Sequence, residues 1–141
     1  MVERETMIFG IGSDLFDIRR MSRILDLYGN KFTQRVFTQD EQLRSERRNN
    51  KAASYAKRFS AKEACAKALG TGFSHGITWR DFEVVSLPIG KPLMKVKGKA
   101  LRLLKRLVPR KYETVVHLSM TDDYPWVQAF VIIEALSVDS S

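Results

Sequence analysis

This sequence offers little for covalent or metal-held cross-links. Cys65 is the only cysteine and there are two histidines, which excludes an intramolecular disulfide and a zinc site built from Cys and His ligands. No apolar run approaches the roughly 20 residues of a membrane span, and the acidic start MVERET is not a secretory signal. We therefore expect a cytoplasmic protein with no membrane partner, in which Cys65 is a small core residue.

Repeats, low-complexity tracts and Pro/Ser-rich linkers are also missing from residues 7–136, which predicts one compact domain. With 141 residues, of which 44% are hydrophobic, the chain can bury a core without cross-links. Residues 1–6 are predicted to be an N-terminal extension, to which we assign no role. Residues 137–141 are predicted to be a flexible C-terminal tail.

The chain has an excess of positive charge. Twenty-four Lys and Arg residues against 16 Asp and Glu give a net charge of +8, which favours an anionic partner: nucleic acid, an acidic protein or a phosphorylated small molecule. A basic cluster supports the first of these, and its members are Arg44, Arg47, Arg48 and Lys51. Because no zinc finger, RNP aromatic pattern or helix-turn-helix accompanies that cluster, we expect no nucleic-acid partner.

The spacing of apolar residues predicts an α+β fold: a single compact domain with a largely antiparallel sheet and packed helices. The predicted strands are residues 7–13, 82–87, 93–96, 115–120 and 127–133. Four helices are predicted. The first runs from after Asp14 to near Gly29, and the second begins at the capping box of Thr38 and Glu41. The third runs from about Ala52 to Leu69, and the fourth passes through Leu101 to Val108.

The first strand has one nearly bare face, formed by Gly10 and Gly12, and Asp14 follows that face directly. We expect open space beside this carboxylate, since glycine has no side chain to cover it. The alternative is that Asp14 caps the N-terminus of the helix that follows. The sequence leaves both interpretations open.

The helix from Ala52 to Leu69 carries two pairs of charged residues at a spacing of four. Glu63 and Lys67 form one pair, Arg58 and Lys62 the other, and the pairs lie on adjoining faces. Ordinary surface salt bridges would explain this spacing. The alanines favour close packing on another backbone instead, and they are Ala61, Ala64, Ala66 and Ala68. Such packing would bring Glu63 into a shielded position beside several cations.

Two carboxylates near lysine and arginine are the side chains that a magnesium-diphosphate site requires. Magnesium is held by one or two carboxylates, with water and substrate phosphates completing its octahedron, and Arg and Lys bind the remaining phosphate charge. No GxxxxGK[ST] loop or GxSxG elbow offers another catalytic site. We expect His75 to be a solvated turn residue and His117 to be an ordinary sheet residue.

Five segments point to a known family: GIGSDLFDI at 10–18, KRFSAKEACAKALGTG at 57–72, WRDFEV at 79–84, GKP at 90–92 and HLSMTDD at 117–123. Over Met7 to about Leu136 the chain resembles holo-acyl-carrier-protein synthase, the short type of 4'-phosphopantetheinyl transferase. The RFxxKEAxxKALGTG run is the most specific segment. The resemblance implies transfer of 4'-phosphopantetheine from coenzyme A to a serine of apo-acyl carrier protein, in support of fatty acid biosynthesis. Adenosine 3',5'-bisphosphate would be the second product.

The resemblance also implies Mg²⁺ as cofactor, coenzyme A as co-substrate and a homotrimer with clefts between subunits. Longer members of the superfamily are double-length chains that form this cleft internally. Asp14 and Glu63 match the magnesium ligands and are implied to be catalytic together with Lys67, which meets a coenzyme A phosphate. The serine proton would pass to Glu63 or to a water on the metal.

The remaining site residues are implied in the same way. Arg58 helps to hold the 3'-phosphate end of coenzyme A, and the loop from Gly90 to Pro92 lies near the adenine. The implied coenzyme-binding set is Arg58, Lys62, Lys67, Gly70, Thr71, Gly72, Gly90, Lys91 and Pro92. Arg20, flanked by Arg19 and Arg23, matches a basic residue on the first helix where the acidic carrier protein docks. At Asp122 the chain departs from many relatives, which have histidine there.

Overall fold

A computed structural model describes residues 4–138, which form five α-helices and two antiparallel sheets. The predicted α+β class is confirmed. The strands are β1 (Thr6–Asp17), β2 (Phe82–Ser86), β3 (Pro92–Val96), β4 (Tyr112–Asp123) and β5 (Trp126–Ser137). The helices are α1 (Ile18–Tyr28), α2 (Asn30–Val36), α3 (Gln39–Glu46), α4 (Lys51–Leu69) and α5 (Gly98–Leu107), with a short 3₁₀ turn at Trp79–Asp81.

The core lies between α4 and a three-stranded sheet in the order β1-β5-β4. Alternate residues of the central strand face α4 and are buried, namely Val127, Ala129, Val131, Ile133 and Ala135. The β2–β3 hairpin and α5 extend the same core through Phe82, Met94 and Leu104. Cys65 is fully buried in it, which confirms the prediction of a small core residue, and burial raises the pKa of its thiol to about 12.

β1 and α4 pack backbone against backbone. A Cβ atom on Gly12 would lie 1.9 Å from the carbonyl oxygen of Ala64, and one on Gly10 would lie 1.8 Å from that of Ala68. The close packing predicted from the alanines is therefore confirmed. The expectation of open space on the glycine face is wrong, because α4 occupies that space.

Asp14 lies inside β1, where it pairs with Ala129, since β1 continues to Asp17 opposite Trp126. The N-cap of α1 is Asp17, whose side chain accepts a hydrogen bond from Arg19 N at 2.9 Å. The alternative interpretation of Asp14 as the cap is therefore wrong. Pairing along the whole of β5 delays the helix by three residues.

Other boundaries were predicted more accurately. Thr38 and Glu41 form the expected capping box, and α4 ends at Gly70, whose φ of +92° is left-handed. Residues 121–123 lie beyond the predicted strand 115–120 but are strand as well, because β4 pairs with β5 up to Asp123. β1 begins at Thr6 within the expected extension, and Ser137 at the start of the expected tail ends β5, while residues 139–141 lie outside the described part.

Candidate active site

Asp14 and one face of α4 form a carboxylate site. Ser60, Glu63 and Lys67 follow one another at helical spacing on the side of α4 that meets β1. Ser60 Oγ donates to Asp14 Oδ2 at 2.9 Å, and Lys67 Nζ lies 3.3 Å from Asp14 Oδ1 and 3.0 Å from the carbonyl oxygen of Ser13. These contacts hold Asp14, whose side chain is only 14% exposed.

Glu63 belongs to the same site. Burial raises the pKa of its carboxyl, and the neighbouring Asp14 charge raises it further, while Lys67 and Arg20 act in the opposite direction. The two carboxylates therefore lie close enough to repel each other. The ion pair that the structure has on this face is Lys67 with Asp14, so the i,i+4 spacing of Glu63 and Lys67 marks a shared site and not an ordinary surface salt bridge.

A second feature is a basic cavity of about 630 Å³ beside the N-terminal half of α4. Arg47, Arg48, Lys57 and Arg58 supply its cations, with no Asp or Glu among the lining residues. The β2–β3 hairpin forms the opposite wall through Val84, Ser86, Gly90 and Pro92, and Met120 of β4 closes one side. Such a cavity suits a phosphorylated ligand.

Arg58, which lines this cavity, has unused hydrogen-bonding capacity. Its guanidinium donates to Ser54 Oγ at 2.6 Å, but its Nε is buried without a partner within residues 4–138. Burial also lowers its pKa. A buried cation with an unsatisfied donor is stabilised by an arriving anion, as a phosphate group would be.

Lys62 does not line the cavity, contrary to the expectation that it binds coenzyme A. Its side chain is 0% exposed and pairs with Glu41 at 2.7 Å. Lys62 lies one turn beyond Arg58, where β2 and the 3₁₀ turn cover the helix. The motif places the residue correctly on the helix, but covering segments decide that no external ligand reaches it.

The structure divides the other expected coenzyme contacts. Gly90 and Pro92 line the cavity, whereas exposed Lys91 between them does not. Gly70, Thr71 and Gly72 form the turn that ends α4, and the cavity lies elsewhere. Asp122 pairs with Lys57 at 2.8 Å, so the departure from the family pattern brings a carboxylate to the cavity rim.

The basic cluster that supported the nucleic-acid alternative is divided among different contacts. Arg44 pairs with Asp40 at 3.0 Å and Lys51 with Glu46 at 3.3 Å, while Arg47 and Arg48 line the cavity. No continuous stripe of unpaired cations is left among these four. The structure therefore gives the nucleic-acid hypothesis no added support.

Both histidines have the expected ordinary roles. His75 is exposed in the loop after α4 with a φ of +62°. His117 lies on β4, and its Nε2 is 2.9 Å from Glu134 Oε1 on β5. Neither belongs to the two sites above.

Sequence reasoning missed Ser60, Ser54 and Lys57. The first could have been found, because Ser60 precedes Glu63 by three residues and Lys67 by seven on a helix, which is one face. Across residues 4–138, no group of three or more His, Cys, Asp or Glu side chains could hold a metal, so the carboxylate site offers two protein ligands. No helix in that range is long and apolar enough to cross a membrane.

Comparison with known proteins extends over most of the chain. A family model described as the 4'-phosphopantetheinyl transferase superfamily matches residues 10–128. The holo-[acyl-carrier-protein] synthase of Bartonella quintana is 57% identical over 130 residues, which is 92% of this chain and 98% of the relative. The solved holo-[acyl-carrier-protein] synthase of Neisseria meningitidis has a TM-score of 0.78 and 35% identity, covering 90% of this chain and 98% of that one.

A second solved structure was determined with a nucleotide ligand. It is a holo-(acyl-carrier-protein) synthase from Bacillus anthracis in complex with CoA (3',5'-ADP), with a TM-score of 0.72 and 30% identity. The match covers 91% of this chain and 97% of the Bacillus anthracis chain. The similarity therefore spans both the carboxylate site and the basic cavity.

Proposed function

This chain belongs to the holo-[acyl-carrier-protein] synthases of the 4'-phosphopantetheinyl transferase superfamily, and we propose that it transfers the 4'-phosphopantetheine arm of coenzyme A to a serine of apo-acyl carrier protein. The products are holo-acyl carrier protein and adenosine 3',5'-bisphosphate, in support of cytoplasmic fatty acid biosynthesis. One observation carries the proposal. Asp14 and Glu63 lie together beside Lys67, whose Nζ is 3.3 Å from Asp14 Oδ1.

The carboxylate site fits a magnesium ion. Asp14 and Glu63 present hard oxygen donors, and two carboxylates suit an ion whose other positions are filled by water and phosphate oxygens. Their mutual repulsion contributes to the raised pKa of Glu63, and a divalent cation would relieve it. Bound there, magnesium would neutralise charge on the diphosphate.

The chain's own residues position the substrates. Lys67, with a side chain that is 54% exposed, faces the diphosphate, and Arg58 with its unpaired Nε takes the 3'-phosphate end in the basic cavity. The serine oxygen forms a bond to the β-phosphorus of coenzyme A as the bond to the bridging oxygen breaks. That oxygen leaves on adenosine 3',5'-bisphosphate. Phosphoryl-type transfer of this kind depends mainly on positioning and charge neutralisation.

Glu63 is our proposed acceptor for the serine proton. Its carboxylate oxygens would accept the proton directly, or a water on the bound ion would accept it in their place. Its place on the same face of α4 as Lys67 puts it beside the diphosphate.

The direct test is incubation of the purified protein with an apo-acyl carrier protein, coenzyme A and Mg²⁺. We expect mass spectrometry to find one phosphopantetheine added to the carrier serine, and none when coenzyme A is left out. The melting temperature should also rise as the coenzyme A concentration is increased. Stabilisation by oligonucleotides and not by coenzyme A, without carrier modification, would contradict the proposal.

The start of α1 is the proposed docking surface for the carrier protein. Arg19, Arg20 and Arg23 are exposed there, and the charge of Arg20 acts on the carboxyl of Glu63, so a carrier docked here would lie next to the site. Arg19 is already paired with Asp17 at 2.7 Å. Arg20, which lies over the ring of Phe16, is therefore the more available cation.

We expect Arg20→Glu to raise the apparent KM for the carrier protein by about tenfold or more, because a reversed charge repels an acidic partner. Coenzyme A binding should change little, and wild-type activity should fall with added salt. Steady-state kinetics with each substrate varied in turn measure this, with Arg102→Glu on α5 as the matched control. An unchanged KM for the carrier would move docking to another surface.

A homotrimer with shared sites is the proposed assembly. Within one chain Asp14 lies on β1, whereas the basic cavity reaches Met120 on β4, and these are the two outer strands of the sheet. Exposed apolar side chains on the strands would be covered by neighbours, including Ile8, Ile11, Leu15 and Phe130. This geometry supports a site formed by the carboxylates of one subunit and the cavity of the next.

Complementation tests that assembly. Glu63→Ala removes one half of the site, and Gly90→Val strains the other, because Gly90 has a φ of +92°. Each variant alone should be nearly inactive, while equal mixing in a symmetric ring should restore about a quarter of the wild-type activity. Sedimentation of a fully active monomer, or no recovery after proven subunit exchange, would rule out shared sites.

A further inference from the structure

Glu41 and Lys62 form a buried ion pair that the proposed chemistry does not use. Both side chains are 0% exposed, and Lys62 Nζ lies 2.7 Å from Glu41 Oε1. Burial lowers the pKa of Lys62, while the Glu41 charge opposes that change. Buried charges are costly unless every donor and acceptor is satisfied, so the other contacts of this pair show what it holds together.

The contacts of the pair join four segments. Glu41 on α3 accepts from Thr38 N at 2.9 Å and, through its second oxygen, from Val84 N of β2 at 2.9 Å. Lys62 on α4 donates to the carbonyl oxygens of Phe82 at 2.6 Å and Trp79 at 3.2 Å. The start of β2 is thus fastened to α3 and α4 by charge-assisted hydrogen bonds, which are stronger than neutral ones.

Two of the joined segments, β2 and α4, form walls of the basic cavity. Val84, held by Glu41, lines it, as do Gly90 and Pro92 further along the hairpin. The facing wall is the α3–α4 connection at residues 47–50 together with Arg58, which lies one turn before Lys62. The ion pair therefore connects the two walls of the cavity without itself lining it.

We propose that Glu41 and Lys62 are positioning residues for coenzyme A, which set the spacing between the β2–β3 hairpin and the cations of the α3–α4 connection and α4. This inference rests on the proposed function of the cavity. Neither side chain touches the ligand, since both are fully covered. Without the ion pair the cavity walls would be less ordered in the free protein. Part of the binding free energy of the ligand would then be used to order them, so the affinity would fall.

The first test uses Glu41→Gln and Lys62→Met, with Asp40→Asn as control. Asp40 is on the same helix but pairs with Arg44 at the surface, where such pairs contribute little. Below the melting transition of each variant, we expect the KM for coenzyme A and the Kd for adenosine 3',5'-bisphosphate to rise about tenfold. The KM for the carrier protein and kcat should stay within about twofold, because α1 and the carboxylate site are untouched.

The double variant Glu41→Leu/Lys62→Met separates positioning from stability. Replacing a buried ion pair by apolar side chains often restores stability, but it leaves Val84 N and the carbonyl oxygen of Phe82 without these partners. We expect the melting temperature to recover while the KM for coenzyme A stays high. Recovery of both together, or a folded single variant with normal coenzyme A binding, would overturn the inference.

A milder variant keeps the inference testable if the single replacements do not fold. Thr38 Oγ1 donates to Glu83 Oε2 of β2 at 2.5 Å, so Thr38→Ala loosens the same junction and removes the side-chain cap of α3. A smaller rise in the KM for coenzyme A supports positioning, and an unchanged value contradicts it. Failure of the proposed function would differ from both results, because the wild type itself would then not bind coenzyme A.

Discussion

Glu63→Gln and Asp14→Asn should each lower kcat about a thousandfold while the chain remains folded. Each change removes a hard anionic oxygen at the proposed magnesium site and leaves side-chain volume almost the same. With two carboxylates at this site, no third protein ligand is there to take over. Single-turnover transfer to carrier protein measures the loss, with Asp40→Asn as a carboxylate control away from the site.

Stability should respond in a characteristic way. The pKa of Glu63 is raised in the folded protein, so its ionised form at neutral pH disfavours folding, and Glu63→Gln should raise the melting temperature of the metal-free protein. Added Mg²⁺ should stabilise coenzyme A complexes of the wild type but not of this variant, which calorimetry can follow independently of activity. Near-normal turnover by either variant at limiting magnesium would falsify the metal assignment.

Gly12→Ala should lower the free energy of unfolding by about 3 kcal/mol or more, a large effect for the addition of one methyl group. The new Cβ would meet Ala64 O at 1.9 Å and Ala68 N at 2.7 Å. Both are backbone atoms, so relief requires α4 to move away from β1. Glu63 and Lys67 would move with it, away from Asp14, and activity should fall as well.

Thermal unfolding should show this as a fall in melting temperature of about 10 °C. Ser13→Ala, a change on the exposed neighbour in the same strand, is the control and should have little effect. Ala64→Gly should not rescue Gly12→Ala, because the clash is with the carbonyl oxygen and not with the methyl group of Ala64. Rescue by that second change, or a stable Gly12→Ala protein, would show that β1 and α4 can separate at little cost.

Much of the architecture could be predicted from local patterns. The capping box at Thr38 and Glu41 and the glycine that ends α4 depend on contacts within a few residues, and both are observed. The missed elements have weaker local signals: α2 has seven residues, and the 3₁₀ turn has three. Residues 121–123 are strand because they pair with β5, and their polar side chains give no local signal of that pairing.

The candidate site was predicted in the same uneven way. Asp14, Glu63 and Lys67 could be brought together from motif and helical spacing, and the structure places them in one site. Lys62 carries the same motif signal as Glu63, yet it lies in the core against Glu41. Asp17 and not Asp14 caps α1, because the length of β1 depends on a strand more than 100 residues later.

The sequence alone sets which side chains share a face of α4, because a helix repeats every 3.6 residues whatever surrounds it. It also determined that α4 could approach β1 closely, since glycine and alanine leave room for backbone contact. Which of the α4 cations are exposed and which are buried depends on how the rest of the chain folds around that helix. Burial depends on the segments that fold over a residue, and for Lys62 these are β2 and the 3₁₀ turn, which lie 17 to 20 residues further along the chain.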